Sequence, residues 1–270
     1  MKSNKHIQKE LFSMIYDLHV HTNFSDGKMS VKEALEAAER QDIGISIVDH
    51  NEIRGSIEGY RIARKREIPF VCGIELGTRE GKELLLYFNH PRFLERFFIN
   101  EVEQYRTARM TRIDRTMESF LSERLKKKYE IALVTIPHPC AIWFKNIQWN
   151  PELSNKMIEF CDAMEVVNSQ MRRAQNFRAL CAAICYDKYM TSGSDAHLVR
   201  DVGKALTWLT SEDGNLIPET YFGRRPKWIL GTLYQIIHSN IRYTCNEHYH
   251  TCIESFRMRR KPRKKLTVRF

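Results

Sequence analysis

With 270 residues and 43% hydrophobic content the chain can bury a full core, which excludes a mostly disordered protein and fits one large α/β domain as well as two small ones. The formal net charge of +10 is unevenly spread: the final stretch RMRRKPRKKLTVRF holds eight Lys and Arg and no acid, leaving only +2 on residues 1–256. A broadly basic body is thereby excluded, and the basic character is confined to a tail.

In chain order, short β-rich runs alternate with helical patterns. MIYDL is followed by a turn and by Ser30 and Glu33, whose S-x-x-E spacing is a capping box opening the helix VKEALEAAERQ. GISIV, PFVCGI, ELLLYF, IALVTI, AMEVV, YMTSG and ALTWL continue the strand series. Residues 100–128 read as one long helix, with Ile113, Met117, Phe120, Leu121 and Leu125 as its apolar stripe. NKMIEFC and RAQNFRALCAAIC supply two later helices, and KWILGTLYQIIHS another that covers the barrel. This alternation implies a mainly parallel sheet with enough units to curl into a barrel, the class being α/β. No internal repeat and no low-complexity linker precede the tail. Residues 1–256 are therefore expected to form a barrel with a C-terminal helical extension, and 257–270 a disordered basic tail able to attract nucleic acid or an anionic surface.

The N-terminus MKSNKHIQKELFSMIYD has neither an apolar signal run nor a small-residue cleavage site, and no stretch reaches the length of a membrane span. A cytoplasmic location is expected. Seven scattered cysteines fit reduced thiols better than a disulfide framework.

The chemically interesting side chains are not randomly distributed. His19 and His21 end the first run, Asp49 and His50 the second, Glu75 the third, His138 the fifth, and Asp195 and His197 follow the seventh. In a parallel α/β barrel those strand ends form the active-site face, so the groups would converge although far apart in sequence. The two-residue period of a strand points His19 and His21 to the same side. Any one of them alone is most simply a capping or hydrogen-bonding group. Five histidines and three carboxylates at one edge, however, would be costly to bury without partners, and divalent metal supplies the partner.

The ordered motifs DLHVHTNFSDG, VDHN, GIEL, PHP and GSDAH, spread over roughly residues 14–210, resemble those of the PHP (polymerase and histidinol phosphatase) superfamily of metal-dependent phosphoesterases. The resemblance implies a distorted (β/α)7 TIM-like barrel with two or three divalent ions. It implies that His19, His21, Glu75 and Asp195 hold one ion, that Glu75 bridges to a second held by His138, and that Asp26, His50 and His197 hold a third. Asp195, His197 and His50 are the residues expected to carry catalysis. One departure concerns the fourth strand, where such members carry a histidine and this chain has GKELLLYFNH: Glu83 or Leu85 takes that position, with His90 beyond. Asp49 is expected to orient a ligand histidine through its other ring nitrogen.

Mixed imidazole and carboxylate ligation suits Mn, Zn or Fe without selecting among them. The chemistry such ions support is hydrolysis of a phosphate ester by activated water. Arginine should meet the phosphate charge. The segment YRTARMTRIDR offers Arg106, Arg109, Arg112 and Arg115, of which Arg109 and Arg112 are the choice for substrate binding, a solvated basic face being the competing reading; Arg172 and Arg173 are weaker. Cys245, His248, His250 and Cys252 could form a zinc site, but their spacing fits a helix with packed thiols better. The expected substrate is a small phosphorylated molecule or nucleotide. A nuclease acting on RNA or DNA ends is the alternative, supported by the tail; a metal-free binding module and amide hydrolysis rank lower.

Overall fold

The computed structural model describes residues 13–142, 145–212 and 214–223. All eight β-rich runs form strands: β1 (Ser13–Val20), β2 (Gly44–Ile47), β3 (Phe70–Gly77), β4 (Glu83–Phe88), β5 (Ile131–Ile136), β6 (Ala163–Asn168), β7 (Tyr189–Gly193) and β8 (Ala205–Glu212). A ninth, β9 (Asn215–Gly223), hairpins back along β8. It contains Pro218, a poor strand residue, which sits opposite Leu209 beside a break in register where a ladder donor can be spared. Helices α1 (Val31–Glu39), α2 (Arg54–Arg66), α3 (Pro91–Phe97), α4 (Glu123–Lys128), α5 (Pro151–Phe160) and α6 (Arg173–Tyr186) fall between strands. Ser30 and Glu33 make the capping box in full.

The strand order is β7-β6-β5-β4-β3-β2-β1-β8-β9. The expected mainly parallel (β/α)7 barrel needs correction: the sheet is mixed, with β3–β4, β4–β5, β1–β8 and β8–β9 antiparallel. The cause lies in loop length, since the short link between Gly77 and Glu83 cannot hold the crossover that a parallel neighbour requires. The sheet still curls into a nearly closed barrel. Beyond β7, Ala196 bridges Val20 of β1, the His21 amide donates to the Ala196 carbonyl at 2.9 Å, and the Ala196 amide donates to the His19 carbonyl at 3.2 Å.

Side chains from six strands, including Tyr16, Leu18, Leu85, Tyr87, Leu133 and Leu209, share one buried cluster, which fills the barrel interior. A second cluster packs α1 and α2 onto β1 and β2 through Ala34, Leu35, Ala38, Ile45, Ile47 and Ala63.

The long helix expected over 100–128 does not form. Phe98–Val102 is a π-turn, Glu103–Tyr105 a 3₁₀ turn, and the chain then runs as a strap to a second 3₁₀ turn at Met117–Phe120 before α4. The strap is moored to the barrel rim: the Asn51 side-chain amide donates to the Met110 carbonyl, the Ile113 backbone amide to the Gly77 carbonyl and the Arg79 backbone amide to the Arg115 carbonyl. A side chain at Gly77 would come within 2.0 Å of the Thr111 carbonyl oxygen, so this docking requires glycine. Ile113, Met117 and Phe120 are buried as the pattern demanded, but by docking rather than by helical periodicity.

Among the described residues no helix is long and apolar enough to cross a membrane. Cys72, Cys140, Cys161, Cys181 and Cys185 are free thiols. The Cys245–Cys252 cluster, the helix expected at KWILGTLYQIIHS, the boundary at 256 and the basic tail lie outside the described residues.

Candidate metal centre

The upper barrel rim gathers the predicted side chains. His19 and His21 come from the end of β1, Asp26 from the turn after it, His50 from the end of β2, Glu75 from β3, His138 from the end of β5, and Asp195 and His197 from the loop after β7. Glu83 reaches the same rim because β4 runs the opposite way and begins where its neighbours end. In register, Leu85 faces Glu75 and joins the interior core, so Glu83, two residues earlier on the same face, stands one step nearer the rim. Glu83 is thus the fourth-strand candidate that reaches the rim. Leu85 is core, and His90 lies at the other end of β4, where it caps α3 through the Arg92 amide.

The ligand atoms converge closely. His19 Nε2 and His21 Nε2 are 3.1 Å apart, and both approach Glu75 Oε2, at 3.5 and 3.3 Å, and Asp195 Oδ1, at 3.6 and 3.3 Å. His138 Nε2 lies 3.3 Å from Glu75 Oε1 and 3.5 Å from Glu83 Oε2. On the other flank, Asp26 meets His50 Nε2 at 3.5 Å and His197 Nε2 at 3.2 Å. Among the described residues four overlapping groups have every potential ligand atom within 4.8 Å: His21, Asp26, His50 and His197; His19, His21 and Glu75; His19, His138 and Asp195; His50, Glu75 and Glu83.

Two of the contributing residues sit in unfavourable backbone conformations. His138 has φ +29° and Asp195 has φ +52°, in the left-handed region that non-glycine residues seldom occupy and that recurs at functional sites. The side chains are also deeply buried, except Asp26 and His197, which are 41% and 34% exposed and mark one opening of the site.

Electrostatics follow from crowding. Burial alone would raise the Glu75 carboxyl, but His50 and His19 outweigh it and hold it well below the usual carboxylate range. Asp195 behaves alike under His19 and His21. Glu83 goes the other way, pushed up by burial and by Glu75. Burial lowers His21. For His50 the burial effect is overcome by Glu75, which lifts it to about 9. Both Glu75 oxygens, His21 Nδ1 and His138 Nδ1 are buried without a hydrogen-bond partner. Such orphaned donors and acceptors are rare in protein interiors. An imidazole and carboxylate set of this kind fits divalent Mn, Zn or Fe, whose charge would replace the shared protons.

The groups behind the ligands differ from expectation. Asp49 does not orient a histidine: it accepts the Thr22 amide and hydroxyl, both at 2.7 Å, and the Ser25 hydroxyl at 2.6 Å, and thereby shapes the turn that presents Asp26. Glu165, on β6, takes the orienting role. Its carboxylate pairs with His19 Nδ1 at 2.9 Å and accepts the His138 amide at 2.8 Å and the Asn168 side-chain amide at 2.9 Å. Asn168 also donates to Asp195 Oδ2 at 3.1 Å. The available signal in AMEVVN was two polar residues, Glu165 and Asn168, within an otherwise apolar buried strand.

The arginines lie on the strap. Arg106 and Arg54 both pair with buried Glu52, and Arg115 pairs with Glu101. Arg109 is exposed and Arg112 half-buried, carried by the segment that Asn51 moors beside His50.

Three comparisons bear on this site. A protein of Clostridium acetobutylicum described as "probable histidinol-phosphatase" is 40% identical over 80 residues, which is 25% of this chain and 31% of that protein. A 3',5'-nucleoside bisphosphate phosphatase of Chromobacterium violaceum is 34% identical over 67 residues, 24% of this chain and 24% of that protein. The chain thus spans less than a third of the length of both relatives. The crystal structure of a lesion-specific endonuclease from Pyrococcus furiosus shares the fold with a TM-score of 0.57 at 14% identity, covering 80% of this chain and 60% of that one. The PHP domain model matches residues 17–165, from the first ligand strand through Glu165, and the PHP-associated model matches 173–217. The chain belongs to the PHP domain family.

Proposed function

We propose that this chain is a metal-dependent phosphoesterase that hydrolyses a phosphate ester of a small molecule or nucleotide. The convergence of five histidines and four carboxylates from six strands, with buried oxygens and ring nitrogens left unpartnered, carries the reading. In it, His19, His21, Glu75 and Asp195 hold one ion; Glu75 and His138, with Glu83 in place of the family histidine, hold a second; Asp26, His50 and His197 hold a third. Two or three divalent ions bound there would supply Lewis acidity at the phosphoryl oxygens and water activated near neutral pH. The chain's own residues do the positioning. Asn168 steadies one Asp195 oxygen and leaves the other towards His19 and His21. The Asp195 carbonyl engages His197 Nδ1 at 2.9 Å, so Nε2 faces Asp26 at the opening. Asp195, His197 and His50 are the groups assigned to the reaction, with Arg109 and Arg112 meeting the substrate's charge.

A nuclease acting on RNA or DNA ends is the second reading, favoured by the fold shared with an endonuclease and by eight positive charges in residues 257–270. One panel separates the two: protein reconstituted with Mn, Zn or Fe, assayed against sugar phosphates, nucleotides, and short single-stranded RNA and DNA. Turnover of the monomeric esters is expected. Elemental analysis should find more than one transition metal per chain, and none after reconstitution would end the metalloenzyme reading.

A further inference from the structure

A cation that no ligand motif contains enters the metal cluster. Lys145, on the loop after β5, places Nζ 2.8 Å from Glu83 Oε2, the same oxygen that lies 3.5 Å from His138 Nε2. The Lys145 side chain is 30% exposed, so it lies between the ligands and solvent, at a different point of the rim from Asp26 and His197.

Its loop is built to hold it. Lys82, the residue before Glu83, is buried and donates to the Asn146 and Trp149 carbonyls, both at 2.6 Å, and to the Ser154 hydroxyl at 3.0 Å. The Ile147 amide donates to the Pro139 carbonyl, tying the same loop to the PHP motif. Two adjacent residues at the start of β4 therefore act together: Lys82 fixes the backbone just beyond Lys145, and Glu83 fixes its ammonium. An ammonium has three donors, and Glu83 engages it from one side. A buried lysine spent to anchor a partly exposed one is a costly arrangement unless the anchored cation meets a ligand.

We propose that Lys145 is the substrate's phosphate anchor, its ammonium taking a non-bridging phosphoryl oxygen while Glu83 holds it in place. This rests on the phosphoesterase reading and names the residue that confers its preference for an anionic phosphoryl group. Lys145 is a binding residue. Its removal costs ground-state and transition-state affinity together.

The test uses the full chain reconstituted with Mn, comparing wild type, Lys145→Met, Lys145→Arg and the surface control Lys156→Met. Metal content is read by elemental analysis, binding of inorganic phosphate by calorimetry, and KM and kcat with a chromogenic phosphate ester. Lys145→Met should weaken inorganic phosphate on the order of tenfold or more, as expected for loss of a charge-assisted hydrogen bond, and raise KM alike with kcat little changed. Metal content should be no lower than in wild type, Lys145→Arg should recover most of the affinity, and Lys156→Met should behave as wild type. Unchanged phosphate affinity in Lys145→Met overturns the proposal, as does loss of an ion in that variant, which would mean that Lys145 acts through the metal ligands. Phosphate binding that depends on Lys145 without hydrolysis of any ester would uphold the anchor and defeat the phosphoesterase reading.

Discussion

The two flanks of the cluster balance charge differently. On the β1 and β7 flank, His19, His21, His50 and His197 face Asp26 and Asp195, and the partners there are imidazoles and carboxylates alone. On the β4 and β5 flank a single histidine, His138, faces Glu83, and the deficit of positive charge is met by Lys145. The first flank suits tight chelation of cations, because an imidazole gives up at most a proton to bind one. The second has a carboxylate already engaged by a fixed cation, so an ion there competes with an ammonium. An ion shared by Glu75, His138 and Glu83 should be the more weakly held.

The largest effect should come from the first flank. Asp195→Asn keeps the side chain's size but removes the charge beside His19 and His21, and turnover should fall on the order of 10²–10³-fold or more in steady-state assays. Wild-type turnover of every ester would show that the site lies elsewhere. Next is the support beneath it: Glu165→Ala frees His19 Nδ1 and the His138 amide, and metal affinity should drop roughly 10–100-fold, with activity partly restored by added metal. If the affinity held, the comparison would lose its physical basis. On the second flank, Glu83→Ala should release the weakest ion and leave the others, visible as a lower metal content after dialysis against a mild chelator. Equal loss from both flanks would erase the distinction.

The smallest effect concerns the base of β1. Asp17 is fully buried and accepts the Ser194 and Gly203 amides at 2.9 and 2.7 Å, yet burial still lifts its carboxyl from 3.8 to about 6. A raised acid in the folded state contributes stability that is complete below pH 3.8 and lost as pH rises through about 6. Asp17→Asn should destabilise by about 1–3 kcal/mol, since one amide must face a donor. The gap between variant and wild type in denaturant melts should narrow as pH rises across that window; a constant gap would count against the shift.

Much of this was readable before the structure. Eight strands announced themselves as apolar runs, and His19, His21, His50, Glu75, His138, Asp195 and His197 could be grouped because strand ends share a rim. What escaped was set by tertiary contact. β4 reverses direction through a short link, so the candidate ligand it brings to the rim is its first residue, Glu83, rather than one at its end. The strap over 106–116 exists because Gly77 admits the Thr111 carbonyl, a fact about a distant glycine that no periodicity contains. Glu165 stood out in its strand as a buried polar residue, but its partner, His19, is set by the fold.

The seam of the barrel is made from the segment that carries Asp195 and His197: Ala196 between them bonds to both neighbours of Val20, which are His19 and His21. Chelation and closure are therefore the same event seen from two sides. Any cation that draws Asp195 towards His19 also clamps the first and last staves of the barrel together, and its binding energy adds to the stability of the whole domain by mass action. The hydrogen exchange of the His21 and Ala196 amides would slow in proportion to ion concentration, making the backbone of the seam a gauge of occupancy that requires no substrate.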